Sequence, residues 1–270
     1  MTEGITAEAL DQLQDVEGIV VDEVPGMSIH YIALNTTKEP LTDKRVRQAI
    51  SHAIDFDAII EGVYLGHAIR LNSPVPKGLF GQDDSVPVFH YDKENAQKLL
   101  AEAGYADGFT LEFLLADFGT WVQVATVLQA ELAELNITVN ISKFAWPTYL
   151  EKIMNGGHDL CMMGWSPDFA DPDQNMHTFL HSVNFGTGWN FTLYKNDEID
   201  DLLMQARSTT DRAKRQAAYT KIATIVYEEV PYLWVAQQNT RNAHRSWVKG
   251  FEINPMMYWF IPFNTLTKAE

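Results

Sequence analysis

Between residues 109 and 164 the chain switches its apolar period back and forth, and this switching constrains the fold more than any other feature. Phe109, Leu111, Phe113 and Leu115 alternate as in a strand, Val122 to Leu135 repeats at helical spacing, and Ile137, Val139 and Ile141 alternate again. Pro147 to Asn155 reads as a second helix stopped by Gly156-Gly157, and Asp159 to Gly164 as an apolar strand. Strand, helix, strand, helix, strand is the pattern of crossover units, whose right-handed connections bring each strand back parallel to the last. The expected fold is α/β, with a mostly parallel sheet flanked by helices.

The flanks extend this pattern. Residues 28–35 form a short apolar run of strand length, and Pro40 opens a helical stretch. In it Val46, Ala49, Ile50 and Ala53 face inward, while Asp43, Lys44, Arg45 and Arg47 are expected to face water. Asp55 reads as the N-cap of a further helix. Asp92 and Gly104 read as the start and stop of a helix from Lys93 to Ala103. Residues 66–90, with Pro74, Pro76, Gly78, Gly81 and Pro87, are expected to be an ordered surface loop. Two helices, Glu198 to Arg207 and Asp211 to Val230, precede Pro231, a strand from Tyr232 to Gln237, and an apolar tail after Gly250.

Composition narrows the function. With 20 Lys plus Arg against 36 Asp plus Glu, the formal charge is -16, which repels nucleic acid and anionic lipid. No apolar run approaches the roughly 18 residues of a membrane span. The single cysteine, Cys161, cannot pair within the chain and says nothing about compartment.

The most informative segment runs from Gly164 to Gln174, Gly-Trp-Ser-Pro-Asp-Phe-Ala-Asp-Pro-Asp-Gln, leaving the C-terminal end of an expected strand, where ligand crevices of open α/β sheets lie. Asp171 and Gln174 have capping-box spacing with Pro172 at the first helical position, so Asp171 reads as an N-cap. Asp168 beside Trp165 offers a carboxylate next to a broad apolar face, suited to a ligand ammonium. The bland alternative is an Asx-turn aspartate beside a core tryptophan. Trp146, at a strand-to-helix turn just before Pro147, is the second candidate for a cleft wall; Trp121 and Trp189 are weaker ones, and Tyr31 reads as core.

Several blocks, in order along the chain, resemble one family. They are Asn35-Thr36 with Pro40, Asp43 and Arg45-Val46-Arg47-Gln48-Ala49, then Ala53-Ile54-Asp55. Tyr91-Asp92, Ala96, Leu99-Leu100 and Glu102-Ala103-Gly104-Tyr105 follow, then Gly164-Trp165 through Asp171-Pro172, and Val248-Lys249-Gly250. Together they resemble the family 5 extracellular solute-binding proteins, which serve importers of dipeptides, oligopeptides, nickel and opines. The resemblance implies a periplasmic-binding-protein-like lobe, the second of two that close on a solute and hand it to an ABC permease outside the cytoplasm. It implies that residues 1–30 form an inter-lobe crossover segment, 31–250 the lobe, and 251–270 a segment returning toward a first lobe. Met1 to Thr6 lack the basic and apolar regions of a signal peptide, so a signal is expected outside this chain.

By resemblance, Asp168 pairs with the ammonium of a ligand and Trp165 forms cleft wall. Dipeptide binders of the family hold the ligand carboxylate with an arginine near the start of the helix read at Val122 to Leu135. No arginine lies between Arg70 and Arg207 here, so a longer peptide, an opine or a sugar conjugate is expected instead. His177 and His181 stand at i and i+4, a chelating spacing, yet without an adjacent Glu or evident third ligand; no metal and no cofactor is expected. No nucleophile elbow or phosphate loop appears, and Asp168 with Asp171 is a poor glycosidase pair, so no catalysis is expected. The alternative function is a stand-alone interaction domain that binds a protein partner through its cleft face and aromatic tail.

Overall fold

The computed structural model describes residues 5–256 and 263–269. In chain order the elements are α1 (Ala7–Leu13), β1 (Ile19–Leu34), α2 (Lys44–Ala53), α3 (Phe56–Gly62), β2 (Ala68–Ile69), α4 (Lys93–Ala103), β3 (Phe109–Ala116), α5 (Gly119–Ala133) and β4 (Ile137–Phe144). They continue with α6 (Trp146–Met154), β5 (Leu160–Trp165), α7 (Pro172–Leu180), α8 (Asp197–Arg207), α9 (Arg212–Glu229), β6 (Tyr232–Arg245), β7 (Val248–Lys249) and β8 (Thr267–Lys268). Asp43, Asp92, Asp171 and Asp211 each accept a backbone N–H at the head of a helix, where such a cap is worth about 1 kcal/mol. Gly104 ends α4 with φ 87°, and Tyr105 N–H reaches back to Leu100 O.

One sheet has the order β2-β6-β1-β5-β3-β4. The crossover units are as expected: β3 runs parallel to both β4 and β5. The expectation of a mostly parallel sheet is corrected, because β1 pairs antiparallel with β5 and β6, and β2 pairs antiparallel with β6. The α/β class stands and the sheet is mixed. Apolar periodicity in the central third constrains only its own three strands; β1 enters before them and β6 returns after α9, so neither belongs to a crossover unit.

Both faces of the sheet are covered. His30 and Gly164, paired across β1 and β5, point to the face under α5, where a Cβ on Gly164 would stand 3.1 Å from the His30 ring and 3.5 Å from Trp121. Tyr31 and Trp165 point the other way, toward Phe179 of α7. Tyr149 of α6 donates to Met162 O and lies beside Cys161 on that second face, so α5 and α6 lie on the two sides that right-handed crossovers demand. Tyr31, Phe113, Leu115, Tyr149 and Phe179 are fully buried, each contributing about 1.5–3 kcal/mol through removal of apolar surface from water.

Three local expectations change. Arg47 is buried rather than hydrated: its guanidinium donates to Leu41 O, Thr42 O and Glu229 O at 2.8–3.1 Å and lies 3.5 Å from the Glu229 carboxylate, partners that replace the water it gives up. The strands read at 28–35 and Tyr232 to Gln237 are the inner halves of longer ones. Residues 19–25 of β1 pair with 239–245 of β6 as a two-stranded ribbon running on from the sheet, after a register shift between Pro25 and Ile29. Of the apolar tail, Met257, Tyr258, Trp259 and Phe260 lie outside the described residues.

Candidate functional site

The C-terminal ends of β3, β4 and β5 make one rim, since the three strands are parallel. Each opens into a loop or helix start that carries an aromatic ring: Phe118 and Trp121 after β3, Trp146 after β4, Trp165 at the end of β5. Phe118 packs edge-on against Trp121 with centroids 4.9 Å apart, and Trp146 closes the group at 5.9 Å from Phe118 and 5.8 Å from Tyr149. Trp121 is buried, whereas Phe118 and Trp146 keep 45% and 38% of their surface exposed, so the group is a floor with two rings open to solvent.

Trp165 belongs to a second aromatic cluster, with Phe179 at 5.4 Å and Trp189 at 5.7 Å. The two tryptophans singled out from the sequence, Trp146 and Trp165, therefore flank the same rim in separate clusters. Ser28 of β1 and Ser166 share a hydrogen bond of 2.5 Å that pins the loop after Trp165 to the sheet.

Asp168 is exposed on that loop, next to Phe169, itself 54% exposed. Its backbone N–H donates to Gln174 Oε1 at 2.6 Å, and its carboxylate accepts from Gln174 Nε2 at 2.7 Å. The capping box is thus only half formed: Asp171 caps α7 by accepting from Asp173 N–H, but Gln174 serves Asp168 instead of returning to the cap. Among the described residues no cation pairs with Asp168, and Lys143, at the same rim, is committed to Asp117 at 3.1 Å. The loop after β5 thus presents a carboxylate held by Gln174 and paired with no cation among the described residues, next in sequence to the exposed Phe169.

Asp171 is fully engaged elsewhere. Arg215 of α9 forks onto it at 2.9 and 2.5 Å and also bonds Tyr219 Oη. Burial pushes the Asp171 carboxyl up, but Arg215 and the Asp173 N–H more than offset this and hold it below the ordinary value. This takes Asp171 out of any acid–base pair with Asp168. Replacing Arg215 with methionine is expected to cost about 2 kcal/mol in urea unfolding, between the values for exposed and buried ion pairs, and Asp171→Asn in the same chain should recover part of it.

The His177 and His181 rings pack against each other with centroids 4.6 Å apart, tilted by 42°. His177 Nε2 faces the Arg207 guanidinium at 3.0 Å, its Nδ1 faces Asn184 Nδ2 at 3.2 Å, and His181 Nδ1 accepts from Val183 N–H. Burial and then Arg207 lower the His177 pKa. Among the described residues no three His, Cys, Asp or Glu side chains converge on a metal position. A small cavity of about 30 Å³ bounded by Phe56, Arg70, Phe89, Tyr232 and Trp234 shares no residue with the rim, and Arg70 there is occupied with Trp234 O and Phe89 O.

Sequence reasoning missed His30, buried beneath the floor, where it accepts from Trp121 Nε1 at 3.3 Å. Its position in an apolar strand, two residues from Ser28, was the only signal.

Comparison with known proteins converges on one group. The model of the family described as bacterial extracellular solute-binding proteins, family 5 Middle, matches residues 1–187. The chain is 30% identical, over 99% of its length and 52% of the relative's, to the probable D,D-dipeptide-binding periplasmic protein DdpA of Escherichia coli K12. It is 32% identical to heme-binding protein A of Haemophilus influenzae, over 87% of this chain and 44% of that one. The structure of the ABC transporter-associated periplasmic binding protein DppA from Helicobacter pylori, in complex with the peptide STSA, superposes with a TM-score of 0.87 at 29% identity, covering 97% of this chain and 51% of that one. The chain spans about half the length of the curated relatives it matches.

Proposed function

Since the chain belongs to family 5 of the bacterial extracellular solute-binding proteins, we propose that it is one lobe of a two-lobed binder that captures a peptide-like solute outside the cytoplasm and passes it to an ABC permease. The observation that carries this reading is the rim: the Asp168 carboxylate, without a cation partner among the described residues, lies in the loop that follows Trp165 and adjoins Phe169 in sequence, while Phe118 and Trp146 expose apolar rings after the neighbouring parallel strands β3 and β4. A ligand ammonium matches the carboxylate, and apolar or aromatic side chains match the rings. Trp165, Trp146 and Asp168 are the proposed ligand-binding residues. The role is binding without catalysis, because Asp171 is spent on Arg215 and the α7 cap.

The ribbon of residues 19–25 and 239–245 supports the two-lobed reading, since it continues beyond the sheet where a second lobe would attach. Residues 1–30 then contain the crossover, although β1 is a single strand that passes residue 30 into the lobe. In such a binder, closure supplies the second half of the contacts and excludes water.

Calorimetric titration tests this. The two-lobed protein is expected to bind members of a panel of di- to pentapeptides, opines and Ni(II), while this 270-residue chain alone binds none tighter than about millimolar, for want of the closing contacts. Micromolar binding by this chain alone overturns the half-cleft reading. Failure of every panel member to bind the two-lobed protein overturns the peptide-like ligand.

A further inference from the structure

His30 is a hub between elements distant in sequence. It lies in β1 between two register shifts of the β1–β6 ladder, after Pro25 and after His30 itself, and is 9% exposed. Its Nε2 lies 3.3 Å from Trp121 Nε1 and 2.7 Å from Gln238 Nε2. An indole N–H only donates, so Nε2 carries no proton, and Nδ1 donates to Tyr64 Oη at 2.7 Å. The imidazole meets Trp121 edge-on at 5.9 Å, and Gly164 leaves the space for both rings. Trp121 in turn supports the two open rings, Phe118 and Trp146.

We propose that His30 positions the aromatic floor of the rim and that its protonation displaces that floor, so that acid loosens the ligand-facing rings while the rest of the lobe stays folded. This deepens the solute-binding reading and rests on it for the word ligand. The groups facing the imidazole are Tyr64 from beyond α3, Trp121 from α5, Gln238 from β6 and Gly164 from β5; only Tyr64 titrates and none is a carboxylate. A proton added at Nε2 therefore finds no counter-ion and points at two N–H donors. Gln238 can turn its amide to present oxygen, but Trp121 has nothing else to present and must move. Burial agrees with this, holding the His30 pKa at about 4.

The test is fluorine NMR of the 270-residue chain labelled with 5-fluorotryptophan, its Trp121 and Trp146 resonances assigned with Trp121→Phe and Trp146→Phe. Between pH 7 and pH 4 both resonances are expected to shift together with a midpoint near 4, while the Trp189 resonance stays in place and far-UV circular dichroism is unchanged. In His30→Gln, whose amide oxygen accepts from Trp121 without titrating, both should sit near their wild-type positions at pH 7 and show no such transition. In His30→Leu both should already be displaced at pH 7. Flat wild-type resonances, the same transition in His30→Gln, or joint movement of all seven tryptophans would each overturn the proposal. No ligand is added, so a negative result counts against His30 and leaves the solute-binding reading to the titration.

Discussion

Asp168→Asn in the two-lobed protein should weaken binding of a peptide with a free amino terminus on the order of 100-fold. A charge-assisted pair contributes about 1.5–3 kcal/mol, and each 1.4 kcal/mol is about tenfold in affinity. The loop should survive the change, because an asparagine oxygen still accepts from Gln174 Nε2 and the backbone N–H still meets Gln174 Oε1. Calorimetry with trialanine and N-acetyltrialanine separates charge from shape. The wild type should prefer the free amine by about the same 100-fold, and the variant should no longer discriminate. An unchanged affinity would make Asp168 a turn residue held by Gln174.

The second large effect is acid lability. His30 and His158 are buried, with no carboxylate hydrogen-bonded to either among the described residues, and burial, slightly opposed at His158 by the Asp159 charge, holds both pKa values at about 4, against an ordinary 6.5. For His158, burial is followed by the opposing help of Phe191 O, which accepts from Nε2 at 2.8 Å, and by a smaller adverse contribution from Lys38. Because the unfolded chain takes up these protons first, stability is complete above about pH 6.5 and drains away as the pH falls toward 4. The loss approaches about 3 kcal/mol for each histidine, at 1.36 kcal/mol per unit of pKa. Thermal unfolding between pH 7 and pH 4 should show the melting temperature falling several degrees per unit of pH, and His158→Gln should remove about half of that slope. A melting temperature independent of pH over this window would mean that neither imidazole is held neutral by burial.

Much of the fold was legible because its signals are local. The alternating runs at 109–115 and 137–141 gave two parallel strands, the short apolar run gave β5, and the caps Asp55, Asp92 and Asp171 bonded as their spacing foretold, whereas the cap formed by Asp43 was not read. The antiparallel half was not legible. Thr240 to Arg245 is polar and half-buried along its length, so it carries no period, and its partners at 19–24 lie at the other end of the chain. Arg47 shows the same limit: helical spacing assigned it to water, and only carbonyls from the preceding loop and from Glu229 explain its burial.

For the candidate site, the segment from Gly164 to Gln174 was readable as a loop leaving a strand end, whereas the assignment of Gln174 to Asp168 was not, since capping-box spacing names a different acceptor. His30 was invisible for a similar reason. Its three side-chain partners are 34, 91 and 208 residues away, and nothing in a strand of small and apolar residues marks which ring will be surrounded by donors.

The interrupted ladder between β1 and β6 also has a consequence for how the chain tolerates change. In an unbroken strand, one inserted or deleted residue turns every later side chain to the wrong face. Here the pairing is reset after Pro25 and again after His30, so each half of β1 keeps its own phase. Lengthening or shortening the outer segment leaves Ile29 and Tyr31 where the core needs them. The two halves of a single sixteen-residue strand thus hold their side chains in phase independently of each other.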